Sequence, residues 1–142
     1  FQANKKITLR NPSATRPWQH VLEANHGYLQ LGKALLERGI DFAEAWNFGP
    51  KTDQILEVEK IVKKIKENFR NGSIIIGKGE YHEAQLLSLD INKSISRLDW
   101  KPILDIKKTI NWTVDWYKLY YKNPNSLIDL TTKQINDFQN LF

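Results

Sequence analysis

Apolar positions recur at two periods along this chain. Spacings of three and four predict helices, and short β-branched or aromatic runs between turn residues predict strands. Residues 6–10 (KITLR) read as a strand closed by Asn11-Pro12, with 11–15 as a loop. Val21, Leu22, Tyr28, Leu29, Leu35 and Leu36 define a helix over 18–38. Gly32 inside that stripe predicts close approach to a neighbouring backbone, and Gly39 predicts a C-cap. Residues 44–48 (EAWNF) read as a strand ended by Gly49-Pro50. Asp53 is positioned to cap a helix over 53–69 whose apolar set is Ile55, Val58, Val62, Ile65 and Phe69. Asn71-Gly72 marks a turn, Ser73 to Ile76 a strand and 85–89 another. Asp90 precedes a short helix, 91–98, which Trp100-Lys101-Pro102 ends. A long helix over 104–122 carries Ile106, Ile110, Thr113, Val114, Tyr117 and Tyr121. A last helical pattern covers 131–141. The order is mixed α/β, helix-rich with few short strands, too few for an independent doubly wound sheet. That predicts a piece that packs onto something larger.

Composition narrows this picture. The chain has 142 residues, about one domain, with a net charge of +5 and no cysteine or methionine. No run of eighteen apolar residues suggests a membrane span, and the start lacks a signal-peptide pattern. Without cysteine there is no disulfide scaffold, zinc ribbon or thiol nucleophile. A reading frame begins with Met and this chain begins with Phe1, so it is expected to be a processed product or part of a longer protein. Much of the basic excess, Lys60, Lys63, Lys64, Lys66 and Arg70, reads as the solvated face of one helix. A basic balance raises nucleic acid as a partner. The run Trp112, Trp116, Tyr117, Tyr120 and Tyr121, beside Lys118 and Lys122, could stack bases. At helical spacing it reads better as a packing face, so neither a nucleic-acid nor a membrane partner is expected.

The chemistry-bearing residues are few. Gly77-Lys78-Gly79 follows a strand but lacks the third glycine and the helix that a dinucleotide turn requires. His20, His26 and His82 have no metal-ligand spacing, and no metal is expected. No tyrosine has a lysine four residues on, so no catalytic residue is assigned. His82-Glu83 could be an acid/base pair, but neighbours in an extended segment face opposite ways. Arg16 in Thr15-Arg16-Pro17-Trp18-Gln19-His20 stands where a loop enters a helix. Its guanidinium could bind phosphate oxygens through two parallel hydrogen bonds, helped by the helix N-terminus. The alternative is an arginine tied to a structural carboxylate, with Trp18 in the core.

One stretch is specific enough to name a family. Arg10-Asn11-Pro12, then Ala14-Thr15-Arg16-Pro17-Trp18-Gln19-His20-Val21-Leu22-Glu23, then Gly27-Tyr28-Leu29, closely resembles the C-terminal part of CDP-glucose 4,6-dehydratases, extended short-chain dehydrogenase/reductases acting on sugar nucleotides. Glu44 to Pro50, His82-Glu83-Ala84, Leu89-Asp90 with Lys93, Leu98 to Pro102 and Thr113 to Tyr117 follow in the family's order. Asp99 replaces the glycine of the superfamily's Leu-Gly-Trp-x-Pro. The resemblance covers about residues 5 to 122. It implies that 1–122 form the substrate-binding lobe and 123–142 a tail with a short helix. It implies an intact enzyme, a cytoplasmic bacterial homodimer of polysaccharide biosynthesis, whose NAD-binding Rossmann core and Tyr-x-x-x-Lys pair lie upstream of Phe1. That enzyme oxidises the hexose at C4, eliminates water across C5 and C6 and returns hydride to C6. It also implies that Arg16 contacts the substrate pyrophosphate, with Trp18 and His20 as supports and Asn11, Arg10 and His82 as further substrate-side residues. Relatives often place a second phosphate-binding arginine before the position of Asp90. Here only Lys78 stands near. This chain alone is expected to be inactive. Two alternatives stay open: a stand-alone sugar-nucleotide-binding module, and the lobe of a related epimerase or dehydratase.

Overall fold

The computed structural model describes residues 1, 3–69, 71–77 and 84–142. His82, Glu83, Lys78, Gly79 and Arg70, all singled out above, lie outside the described residues. The elements are β1 (Lys6–Leu9), β2 (Thr15–Pro17), α1 (Val21–Arg38), β3 (Ile55–Glu57), α2 (Val58–Lys66), β4 (Ser73–Ile76), α3 (Asn92–Leu98), α4 (Ile106–Lys122) and α5 (Leu127–Gln139). The mixed, helix-rich α/β class read from the sequence is what the chain adopts. Its strands form two pairs. β1 runs parallel to β4, Lys6 opposite Ser73 and Leu9 opposite Ile76. β2 runs antiparallel to β3, Arg16 opposite Leu56.

Two apolar clusters hold these pieces. Ala34, Phe42, Phe48, Leu98 and the fully buried Trp100 form one, and Ile61, Ile110 and Val114 the other, with Trp18 and Leu56 packed on it. Deleting a buried tryptophan side chain costs about 3–5 kcal/mol. Trp100 Nε1 also donates to the Glu23 carbonyl at 3.2 Å, which satisfies the one polar atom of that ring. Asp99 precedes it in the left-handed region, φ 51°. Glycine suits that conformation best, and Asp is one of the few side chains that tolerate it.

Several sequence expectations are corrected. Thr15, expected to end a loop, opens a strand over 15–17, and the first long helix starts at Val21 rather than 18, with His20 as its N-cap. The apolar stripe that marks this helix points largely outward: Leu36 is 90 % exposed, and the buried positions are Glu23, Gly27 and Ala34. The inner face is built from small and polar residues. A Cβ on Gly32 would meet nothing within 4 Å, so no backbone approaches there. The close approach is at Gly27, where a Cβ would lie 2.3 Å from Phe48 Cδ1. Gly39 does cap the helix, at φ 73°.

Residues 44–48 are not a strand. Side chains hold their carbonyls instead: Lys93 Nζ donates to Ala45 at 3.0 Å, Ser94 Oγ to Asn47 at 2.5 Å and Gln19 Nε2 to Phe48 at 2.7 Å. The helix expected over 53–69 divides into a 3-10 turn at Thr52–Gln54, β3 and α2. Ile55 to Glu57 are drawn into pairing with β2, and Asp53 sits inside the turn rather than capping. The 85–89 strand reduces to a single bridge from Leu86 to Thr15. Asp90 accepts from the Asn92 amide at 2.9 Å just before α3. The later helices sit close to expectation, α4 capped by Asp105, which accepts from the Lys108 amide at 2.7 Å. α5 begins four residues before the last helical pattern and packs on α4. The basic face of α2 is solvated, with Lys60 paired to Glu57 and Lys63 to Glu59. Among the described residues no helix is long and apolar enough to cross a membrane.

Candidate functional site

The segment from Asn11 to His20 is shaped by its backbone. The Asn11 carbonyl accepts from the Ala14 amide at 3.3 Å, making the turn into β2. β2 lies between β3 and the segment after residue 83. The Thr15 amide donates to the Gln85 carbonyl at 2.8 Å, and the Leu87 amide to the Thr15 carbonyl at 3.3 Å. Arg16 sits at the centre of this strand. Its Nη1 donates to the carbonyls of Thr15 and Ala84, at 2.8 and 2.9 Å. The guanidinium is thereby tied to the segment that begins at Ala84, so a permanent cation stands beside that segment.

Trp18 and His20 are fixed by the same economy of hydrogen bonds. Trp18 Nε1 donates to the Leu56 carbonyl at 2.8 Å, locking its ring over the α2–α4 cluster. His20 is buried, its ring edge-on to Trp112 at 5.6 Å. Its Nδ1 accepts from the Leu22 amide at 3.3 Å, which places the neutral ring's proton on Nε2. Burial lowers its proton affinity, so the ring supplies a cap and no charge; the cation of this segment is Arg16. His20, Val21, Thr113, Trp116 and Tyr117 border a cavity of about 410 Å³ under the start of α1. The aromatic run on α4 packs in part. Trp116 stacks on Tyr120 and donates to Thr131 Oγ1 at 3.0 Å, while Tyr117, Tyr120 and Tyr121 stay exposed.

Asn11, Arg16, Trp18 and His20 follow one another from the turn after β1, through β2, to the cap of α1. His82 lies outside the described residues. One residue of the motif does more than its pattern suggested. Glu23, three after His20, has the spacing of a capping box. Its carboxylate instead crosses the molecule, where Oε1 accepts from the amides of Ile103 and Leu104 at 2.8 and 2.6 Å. Gln54 Nε2 donates to the Leu104 carbonyl at 2.7 Å, so both polar groups of that residue are held by side chains. Nothing local in the sequence signals this partner, eighty positions away.

Neither described strand-to-helix turn has the form of a dinucleotide turn. β2 enters α1 through Trp18-Gln19-His20 and β3 enters α2 directly, without the glycines that let amides approach a pyrophosphate. Among the described residues no three His, Cys, Asp or Glu side chains are grouped to hold a metal ion.

No model of a known protein family matches the chain. A CDP-glucose 4,6-dehydratase of Salmonella typhimurium is 34% identical over 140 residues, which cover 97% of this chain and 39% of that protein. A dTDP-glucose 4,6-dehydratase of Bacillus anthracis, solved in complex with NAD, shares the fold with a TM-score of 0.57 at 20% identity, over 91% of this chain and 38% of that one. The chain thus spans well under half the length of both proteins. Sequence and fold agree with the resemblance carried by the Arg16 to Glu23 motif: over nearly its whole length this chain is similar to the C-terminal part of a CDP-glucose 4,6-dehydratase.

Proposed function

We propose that this chain is the sugar-nucleotide-binding part of a CDP-glucose 4,6-dehydratase, a lyase that removes water from the hexose. The match across 97% of the chain to the Salmonella dehydratase carries the reading. NAD supplies the hydride chemistry in such an enzyme, and its site belongs to residues outside this chain. The part left to these residues is binding and orientation. Arg16 holds the substrate diphosphate, its charge delocalised over a planar fork suited to two oxygens. Trp18 and His20 position it by anchoring both ends of the turn from β2 into α1. By the same resemblance Asn11 and His82 are assigned to substrate binding. On this reading the chain alone carries out no turnover. The B. anthracis fold match keeps a second nucleotide in view, a dTDP-sugar.

The test uses the natural full-length protein. Conversion of CDP-glucose to its 4-keto-6-deoxy product, followed by NMR, is expected, with weaker turnover of dTDP-, UDP- and GDP-glucose. Preference for another nucleotide moves the protein to a related dehydratase, and no turnover of any removes the activity. Arg16→Ala is expected to weaken CDP-glucose binding by about 1.5–3 kcal/mol, read by calorimetry. Unchanged affinity removes its phosphate role.

A further inference from the structure

Among the described residues, one apolar face is left uncovered. Val21, Leu29 and Leu36 fall on the same side of α1 by helical spacing, and Ile40 continues them in the turn that follows. They are 63, 75, 90 and 86 % exposed in that order. Single apolar side chains on a surface need no explanation, but a contiguous stripe of them marks an interaction surface. At 1.5 Å per residue, the 18 residues of α1 carry it for about 27 Å. Lys33 and Glu37 at its border pair with each other at 3.8 Å, so neither calls for a charge on whatever covers the stripe.

The position of the stripe says what covers it. Val21 directly follows the Arg16–His20 motif, so the stripe starts where that motif ends. Beside β2, Leu86 bridges Thr15 and is exposed as well. Exposed apolar side chains thus adjoin the Arg16 strand along its edge and beyond its end. More than half of the Salmonella dehydratase lies outside the region that this chain matches. On the function proposed above, that remainder has to meet a sugar whose diphosphate Arg16 holds, which brings it against the start of α1. A second copy of this chain seated on Val21 would occupy the same approach. An aliphatic stripe whose bordering charges are already paired also suits a permanent contact, because obligate interfaces resemble a domain core.

We propose that the stripe from Val21 to Ile40 is the face on which the remainder of the dehydratase chain docks, next to the Arg16 segment. The inference rests on the function proposed above.

Photocrosslinking in the natural full-length protein tests it. The photoreactive residue p-benzoylphenylalanine replaces Leu36 in one variant and Glu37 in another. Glu37 stands at the border of the stripe, where the larger ring does not wedge the contact open. Isotopically heavy and light protein are mixed, irradiated and mapped by mass spectrometry. From both positions, cross-links to residues preceding Phe1 are expected, each within a single isotopic chain. Cross-links that join heavy to light chains would assign the face to a second copy and overturn the proposal. Cross-links confined to residues 1–142, or none at either position, would overturn it too. Turnover of CDP-glucose by the unsubstituted protein is read separately. A cross-link without turnover removes the activity and keeps the contact, whereas turnover without a cross-link removes the contact alone.

Discussion

Glu23 is 1 % exposed, and its burial raises the carboxyl pKa from the ordinary 4.5, against the opposing pull of the Leu104 and Ile103 amides and of Lys51. Below that ordinary value the group is protonated folded and unfolded alike. As pH rises, the unfolded chain ionises first, so stability is lost through the folded pKa and then levels off. Glu23→Gln keeps an acceptor for the two amides and removes the titration. Its unfolding free energy, measured in urea at about pH 4 and about pH 7, should gain relative to the parent chain at the higher pH. Equal differences at both would show that the amides and Lys51 cancel the effect of burial, and a loss at the higher pH that they outweigh it. The two glycines of α1 make a sharper pair. Gly27→Ala drives a Cβ into the Phe48 ring, which packs on Trp100, and should cost about 1–3 kcal/mol. Gly32→Ala meets open space and should gain about 0.5–1 kcal/mol from helix propensity. Opposite signs in urea denaturation are the expected outcome.

At the scale of elements, α1 depends on a titratable cap. The lowered pKa of His20 means the folded state prefers the neutral ring, whose Nδ1 accepts from Leu22. Its contribution is present above the ordinary value of 6.5 and lost as pH falls through the folded value. His20→Asn caps without titrating, so its melting temperature should fall less than the parent's between about pH 7.5 and about pH 5.5. A parallel fall in both would assign the effect to another group, His26 foremost. How far the elements were legible follows from their physics. α3 and α4 were readable because periodicity, a nearby aspartate and a breaker agree. β2 and β3 were not, since three residues carry no period. Glu44 to Phe48 have strand composition, yet their carbonyls are claimed by Lys93, Ser94 and Gln19, side chains that no local pattern connects to them. The same holds at the sites. Arg16, Trp18 and His20 stood together in one motif. Glu23 finds the amides of Ile103 and Leu104 eighty positions away, a pairing no local pattern signals.

For the molecule as a whole, two modest cores and a wide apolar exterior set the behaviour. Val21, Leu29, Leu36 and Ile40 stay exposed along α1 and its following turn, and Ile75 and Ile76 on β4. The parallel pair of β1 and β4 has a temporal consequence. Lys6 meets Ser73 only after nearly half the chain between them has been arranged, so loop closure taxes this contact more than any helix. The pair is therefore expected to close last in refolding, after the helices. Until then, strands rich in isoleucine wait with unsatisfied edges, the state most prone to join another chain. Refolding yield should fall as protein concentration rises, and Ile75→Lys, which puts a charge on β4, should restore it. A yield independent of concentration would mean that the strands meet early.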